Sequence, residues 1–413
     1  MKIAICTLSL VEGHGGVASY AHDFAGYFPD ADITIITGDD YEPRPADNFR
    51  VVNFDASLSV DAGRRLVSLI SDLAPDIVVN SWFPLLTAAA PYLPDSVRII
   101  TVSHFVNGEL AWYAGHNHRY VDRIVALSSH GRRYFRRTFG PAAEAKTDIV
   151  FNPVPPSPQL PLSPTPQLPA SPLTIVYPGG SNYVKSADIV ALALRRLLKT
   201  DLDFRFYWIG NDYVAGGRHI GLPVRHISEC FPADPRIARF GRVERDEARR
   251  IMASAHIFVL PSRLEGFPIS LCEALAGGAI PIISDAPHGS LDLIENRRNG
   301  IVVPQGSPDA LFRAIADIIR HPDAYAGIQR QAAATVATDL APEKWTAAMR
   351  RIFTLALDHA PRRPFSPLRF RISLLCCRLI HLRRKAVDAL RLTYNLALYT
   401  LLRAFPPKKT HTR

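Results

Sequence analysis

Two glutamates, Glu265 and Glu273, stand eight positions apart in the stretch SRLEGFPISLCEALAGGAIP, whose other members are mostly apolar or small. A carboxylate in apolar company is costly unless it meets a partner or a ligand. Pro268 suits the first position of a helix and nothing deeper, and Gly277 with Gly278 suits its end, so the spacing predicts a short helix from Pro268 to Ala276. On it Ile269, Cys272 and Ala276 form one apolar row, Leu271 and Leu275 a second, and Glu273 shares the polar stripe with Ser270. Glu265 falls in the loop before the helix, where the positive end of the dipole favours an anion, and a phosphate fits between the two glutamates. The alternative is a Glu265 that only complements the dipole and a Glu273 paired with a nearby arginine.

The elements around this stretch are those of a βαβ unit. HIFVLPS before it and AIPIISD after it are short apolar bursts that read as buried parallel strands, and ligands of such sheets lie beyond the carboxyl ends of the strands. The same alternation runs through residues 1–152 (KIAICTL, DITIITG, DIVVNSW, VRIITVSH, DRIVALSS) and again through 173–360, where EKWTAAMRRIFTLALDHA is expected as a closing helix. Between them nine prolines in Asn152 to Pro172 predict an extended linker over 153–172. The expected fold is therefore α/β, two Rossmann-like domains facing across a cleft, with a basic helical tail over 361–413.

Composition narrows the function classes. The chain has 413 residues, 47% hydrophobic and 21% charged, as a soluble globular protein of two or three domains would. Five scattered cysteines without metal-ligand spacing suggest a reducing cytosol. The opening MKIAICTLSLV reads as a first strand rather than a leader, and no run is long and apolar enough to span a membrane. The net charge of +10 is uneven: residues 361–413 hold 13 Lys and Arg against one acidic residue, Asp388, leaving 35 basic and 37 acidic residues in the first 360. With no basic excess on the domains, nucleic acid is not an expected partner. In the tail, Arg371, Arg378 and Lys385 repeat every seven residues, with Arg403 returning to that stripe, so residues 368–405 read either as helices packed on the domains or as an anchor on an anionic membrane surface.

The stretch LPSRLEGFPISLCEALAGGAIPIISD, with HGSLDLI and NGIVVP after it and GRVERDEARRIMASA before it, resembles the GT-B retaining glycosyltransferases of family 4, glycosyl transferases group 1. The resemblance implies a nucleotide-sugar donor held mainly by the C-terminal domain, with Glu273 on the ribose hydroxyls and Glu265 orienting the transferred sugar. Gly266, Phe267, Pro268 and Ile269 would then border the diphosphate or sugar. In YPGGSNYVKSADIV, Lys185 matches the family's cation for the departing diphosphate, whereas Gly180 stands where arginine is usual, which leaves Arg242 or Arg263 as replacements. Gly15 and Gly16 in EGHGGVASYAHDFA match the family's glycine pair after the first strand, and His104 its histidine near the sugar. By themselves the former reads as a tight turn and the latter as a structural strand-end histidine.

The activity so implied is transfer of a hexose to an acceptor hydroxyl, of a glycan or lipid-linked acceptor, with retention, in bacterial envelope or exopolysaccharide assembly. It implies no cofactor and no metal; the DAD triplet, Asp30 to Asp32, lies before the second strand and offers a metal-dependent transferase nothing. Two rivals remain: a nucleotide-sugar epimerase, and a scaffold left weak or inactive by the missing arginine. The expected location is cytoplasmic, with the inner face of the membrane as the surface for the tail.

Overall fold

The computed structural model describes residues 1–11, 16–45, 47–106, 108–154, 172–180, 182–210, 234–358 and 367–404. Gly15 and most of the expected linker lie outside these. The chain divides into a first unit, Met1–Pro155 with Pro342–Arg384, and a second, Pro156–Ala341 with Lys385–Arg413.

The first unit is built on strands β1 (Lys2–Thr7), β2 (Asp32–Thr37), β3 (Arg50–Asn53), β4 (Ile77–Ser81), β5 (Arg98–Ser103), β6 (Arg123–Ala126) and β7 (Thr147–Ile149). They form one parallel sheet in the order β3-β2-β1-β4-β5-β6-β7. β1 and β4 are buried on both faces, which is why their sequences are nearly unbroken apolar runs. The second unit carries β8 (Leu173–Tyr177), β9 (Phe204–Ile209), β10 (Ile237–Gly241), β11 (Ile257–Leu260), β12 (Ile280–Ser284) and β13 (Ile301–Val303), parallel in the order β10-β9-β8-β11-β12-β13. Strand order reverses between β1 and β4 in one sheet and between β8 and β11 in the other. Loops leaving the two strands at such a point diverge and leave a crevice at their carboxyl ends.

The expected closing helix belongs to the first unit rather than the second. Helix Pro342–Leu357 buries Trp345, Met349, Ile352 and Phe353, and the Trp345 ring lies 5.5 Å from Phe24 on helix Gly16–Gly26 and 5.0 and 5.7 Å from Tyr27 and Phe28, which directly follow that helix. Arg350 pairs with Asp30 at 2.7 Å, so the first residue of the DAD triplet serves an ion pair, as Asp32 does with Arg50 at 2.8 Å.

The tail is one helix of 38 residues, Pro367–Ala404, not a pair. Phe370, Leu374 and Cys377 on its first part are 5%, 3% and 0% exposed and belong to the first unit's core with Ala62, Leu66 and Ile70. Phe370 fits there because position 63 is glycine: a Cβ on Gly63 would stand 2.5 Å from the ring's Cζ. Ser373 Oγ meets His116 Nε2 and Asn117 Nδ2, each at 3.1 Å, Tyr113 Oη donates to the Cys377 carbonyl at 3.1 Å, and Arg378 Nε donates to the Leu58 carbonyl at 2.7 Å. Of the two expectations for the tail, docking on the body holds for this face. Among the described residues no helix is long and apolar enough to cross a membrane.

Candidate functional site

The crevice of the second sheet is bordered by the loops that leave β8 and β11, and each supplies one charged residue. Lys185, from the β8 side, places Nζ 2.6 Å from Oε1 of Glu265, from the β11 side. Both are partly buried, with side chains 27% and 12% exposed. Ser262 Oγ donates to the same Glu265 oxygen at 3.0 Å. The loop is fixed from behind, since the Ser262 carbonyl accepts from Ser284 Oγ at 2.5 Å and the Gly266 carbonyl accepts from Gly289 N at 2.8 Å. The segment HGSLDLI thus has a physical role, which is to back the glutamate loop.

The segment bearing Lys185 is clamped on its other side. Arg263 makes two bonds to the Asp188 carboxylate, at 2.7 and 2.5 Å, donates to the Tyr183 carbonyl at 2.8 Å, and lies over the Tyr183 ring at 4.1 Å. The Asp188 side chain is 4% exposed and that of Arg263 20%, so the carboxylate is buried and the guanidinium partly so. Tyr177 Oη donates to the Lys185 carbonyl at 3.1 Å; burial first, then the negative charges of Asp188 and Glu265, hold this hydroxyl well above the usual phenol range, and it stays a donor. Arg263, one of the two candidates for the cation missing at Gly180, is thus bound to Asp188 in this structure. A residue that sequence reasoning missed joins here: Tyr394, on the last helix, donates to Asp188 Oδ2 at 2.9 Å and sets its ring edge-on to Tyr183 at 4.9 Å.

Gly180 owes its identity to the backbone. Its φ is +53°, its N–H donates to the Ile209 carbonyl at 2.8 Å, and its carbonyl accepts from Trp208 Nε1 at 3.1 Å. A Cβ on neighbouring Gly179 would lie 2.1 Å from Tyr177 Oη, so the glycine pair lets the loop run close over that ring.

Glu273 is 6% exposed and its Oε1 accepts from Arg249 Nε at 3.0 Å; Arg249, 7% exposed, also reaches Asp246 at 3.3 Å. The arginine partner weighed as the alternative thus exists. It was missed because it sits on a separate helix, Arg245–Ala253, although an arginine three residues before Met252 on that helix's buried face was a signal. Gly277 brings the helices together, since a Cβ there would lie 2.7 Å from the Ala253 Cα. The glutamate helix runs Ile269–Ala276, one residue later than expected, because Pro268 takes the N-cap position with ψ of 117°. Gly266, Phe267 and Pro268 are buried beside Glu265, and Ile269 is half-buried at the helix start.

The remaining expected residues lie in the first unit. Gly16 opens helix Gly16–Gly26 and Gly15 lies outside the described residues. His104 follows β5, 8% exposed, with Nε2 2.8 Å from Ser81 Oγ at the end of β4 and its ring edge-on to Tyr20 at 4.9 Å. Burial pushes its pKa down to about 3, so it is a neutral imidazole at physiological pH. The structure brings Lys185 and Glu265 into contact, seats Glu273 on Arg249, and gives His104 a serine partner.

Comparison with known proteins bears on the family and the fold. Residues 172–321 match a family model described as Glycosyl transferases group 1, and residues 14–157 match Glycosyltransferase Family 4. The chain is 29% identical over 145 residues to the glycogen synthase of Thermodesulfovibrio yellowstonii, a stretch that spans 35% of this chain and 27% of that protein. It is 25% identical over 394 residues to the GDP-mannose-dependent alpha-(1-6)-phosphatidylinositol monomannoside mannosyltransferase of Mycobacterium tuberculosis, covering 86% of this chain and 96% of that one. Among solved structures, Anabaena HepE in complex with UDP and glucose superposes with a TM-score of 0.66 at 15% identity, over 86% of this chain and 99% of its own. Sucrose-phosphate synthase from Thermosynechococcus elongatus does so with a TM-score of 0.69 at 16% identity, over 86% and 98%. At these identities the structural likeness establishes the two-sheet fold.

Proposed function

We propose that this chain, whose two halves match the models of group 1 and family 4 glycosyl transferases and whose fold is GT-B, moves a hexose from a nucleoside diphosphate donor to an acceptor hydroxyl with retention at the anomeric carbon. The observation that carries the reading is the 2.6 Å contact between Lys185 and Glu265 at the point where strand order reverses. At rest each neutralises the other. A donor entering the crevice exchanges those partners: its diphosphate takes the Lys185 ammonium, and hydroxyls of its sugar donate to the Glu265 carboxylate. Negative charge grows on the diphosphate as the sugar departs, so the lysine contact strengthens toward the transition state, where it lowers the barrier. Glu273, oriented by Arg249 Nε at 3.0 Å, is assigned to the ribose diol, for which two acceptor oxygens are suited.

In this reading leaving-group charge is met by Lys185 without a metal or other cofactor, and the acceptor attacks from the face the diphosphate leaves: its oxygen bonds the anomeric carbon as the bond to the diphosphate oxygen breaks, and its proton passes to the departing diphosphate. We place the enzyme in the cytoplasm, at the inner face of the membrane, in glycan or glycolipid assembly, with a glycan or lipid-linked sugar as acceptor. The mycobacterial relative's GDP-mannose and the Anabaena protein's UDP and glucose make GDP-mannose and UDP-glucose the first donors to try. Incubation of the purified chain with each, followed by chromatography for free nucleoside diphosphate, is the first test. Slow release to water above background supports a transferase, and proton NMR of the anomeric product then reports retention. Epimerised nucleotide-sugar, or no turnover of any donor, would instead favour the epimerase or the scaffold.

A further inference from the structure

The last helix has a second apolar face, opposite the one that docks. Leu368, Ile372, Leu375, Leu379 and Leu382 are 66%, 51%, 55%, 57% and 61% exposed. Their spacing of four, three, four and three residues keeps them within about 80° of arc on a helix, roughly opposite Phe370, Leu374 and Cys377. The stripe is about 21 Å long. Exposed Arg371 and Arg378 flank it on one side and exposed Arg383 on the other. Single exposed leucines are ordinary on a protein surface; five in one row along a helix that is already docked are not.

We propose that this outward stripe is an interfacial surface that lies in the plane of an anionic lipid bilayer, its leucines entering the headgroup and acyl boundary and its arginines meeting lipid phosphates. The proposal deepens the membrane-side placement above by naming the face that makes contact. Charge selects this occupant over a second copy of the chain. Leucines in a four-three repeat also suit a helix-helix seam, but two copies would set arginine flanks against arginine flanks, and the only acidic residue in 361–413 is Asp388, which pairs with Arg391 at 3.1 Å. An anionic surface compensates both flanks at once.

The test uses the full chain and vesicles of phosphatidylcholine alone or with one quarter phosphatidylglycerol. Wild type is expected to sediment with the anionic vesicles, less as salt rises, and weakly with the neutral ones. Leu375→Gln with Leu379→Gln is expected to weaken binding roughly tenfold per leucine, and Arg371→Gln about fivefold on anionic vesicles only. These positions are exposed, so the melting midpoint should not move. Light scattering without vesicles reports the competing occupant: a wild-type dimer lost in the double leucine variant would overturn the proposal. So would wild type that stays in the supernatant, or vesicle binding indifferent to the leucines. Donor-induced thermal stabilisation, measured on the same samples, keeps the transferase reading separate, because loss of vesicle binding with donor stabilisation intact refutes this surface alone.

Discussion

Replacing Arg249 with methionine keeps much of the side chain's volume and takes the charged partner from Glu273. Both side chains are nearly enclosed, at 8% and 7% exposure, and the bond between them is 3.0 Å. Removing one member of a buried pair costs about 3 to 5 kcal/mol, because the remaining charge keeps its desolvation penalty. In a unit of this size that lowers the melting midpoint by about 6 to 20 °C. The sign with pH follows from the same burial. Without the guanidinium, desolvation raises the folded Glu273 carboxyl above its unfolded value of about 4.3, so the penalty is complete at pH 8 and shrinks as pH falls through the raised value. Thermal unfolding of the full chain at pH 8 and pH 5 should therefore show a smaller gap between variant and wild type at the lower pH, and Glu273→Gln on the variant background should recover part of the loss at pH 8. A gap below about 1 kcal/mol, or one that does not change with pH, would refute the account of Glu273 as a carboxylate held by Arg249.

His104 has a folded pKa near 3, below its unfolded value, so it contributes stability above about pH 6.5 that is lost as pH falls. Wild type should lose about 2 kcal/mol more than His104→Gln between pH 6.5 and 5, and imidazole NMR shifts of His104 should stay flat from pH 8 to 5. Gly63→Ala should cost about 1 to 3 kcal/mol by pressing on Phe370, and Phe370→Leu in the same chain should return part of it in denaturant unfolding. Gly180→Arg should cost about 1 kcal/mol because its φ is +53°, and any gain in donor affinity from the added cation would be read separately by calorimetry.

Both sheets were legible because strands buried on two faces read as apolar bursts, and the loop before Ile269 was legible because Pro268, Gly277 and Gly278 punctuate it. Partners across elements were not. The buried faces of Pro342–Leu357 are plain in the sequence, but a helical period says which side is apolar and not which surface it meets, so its place on the aromatic stripe of helix Gly16–Gly26 was missed. The tail's period looked unclean because two apolar stripes share one helix, Phe370, Leu374 and Cys377 inward and the leucines outward, and their sum blurs into a hydrophobic helix without a face. Arg249 and Arg263 illustrate the same limit. Arg249 is an ordinary arginine in sequence and Arg263 stood there as a candidate cation, and only the fold decides that one belongs to Glu273 and the other to Asp188.

The central claim, that the second unit's crevice holds a nucleoside diphosphate sugar between Lys185, Glu265 and Glu273, is tested most directly by titration calorimetry of GDP-mannose and UDP-glucose into wild type, Glu265→Ala and Glu273→Gln at pH 7.5. Saturable binding of one donor by wild type, weakened more than about tenfold, or 1.4 kcal/mol, in each variant while the melting midpoint shows it folded, is the predicted result. Equal affinity in all three proteins, or binding of neither donor nor free nucleoside diphosphate by wild type, would contradict it.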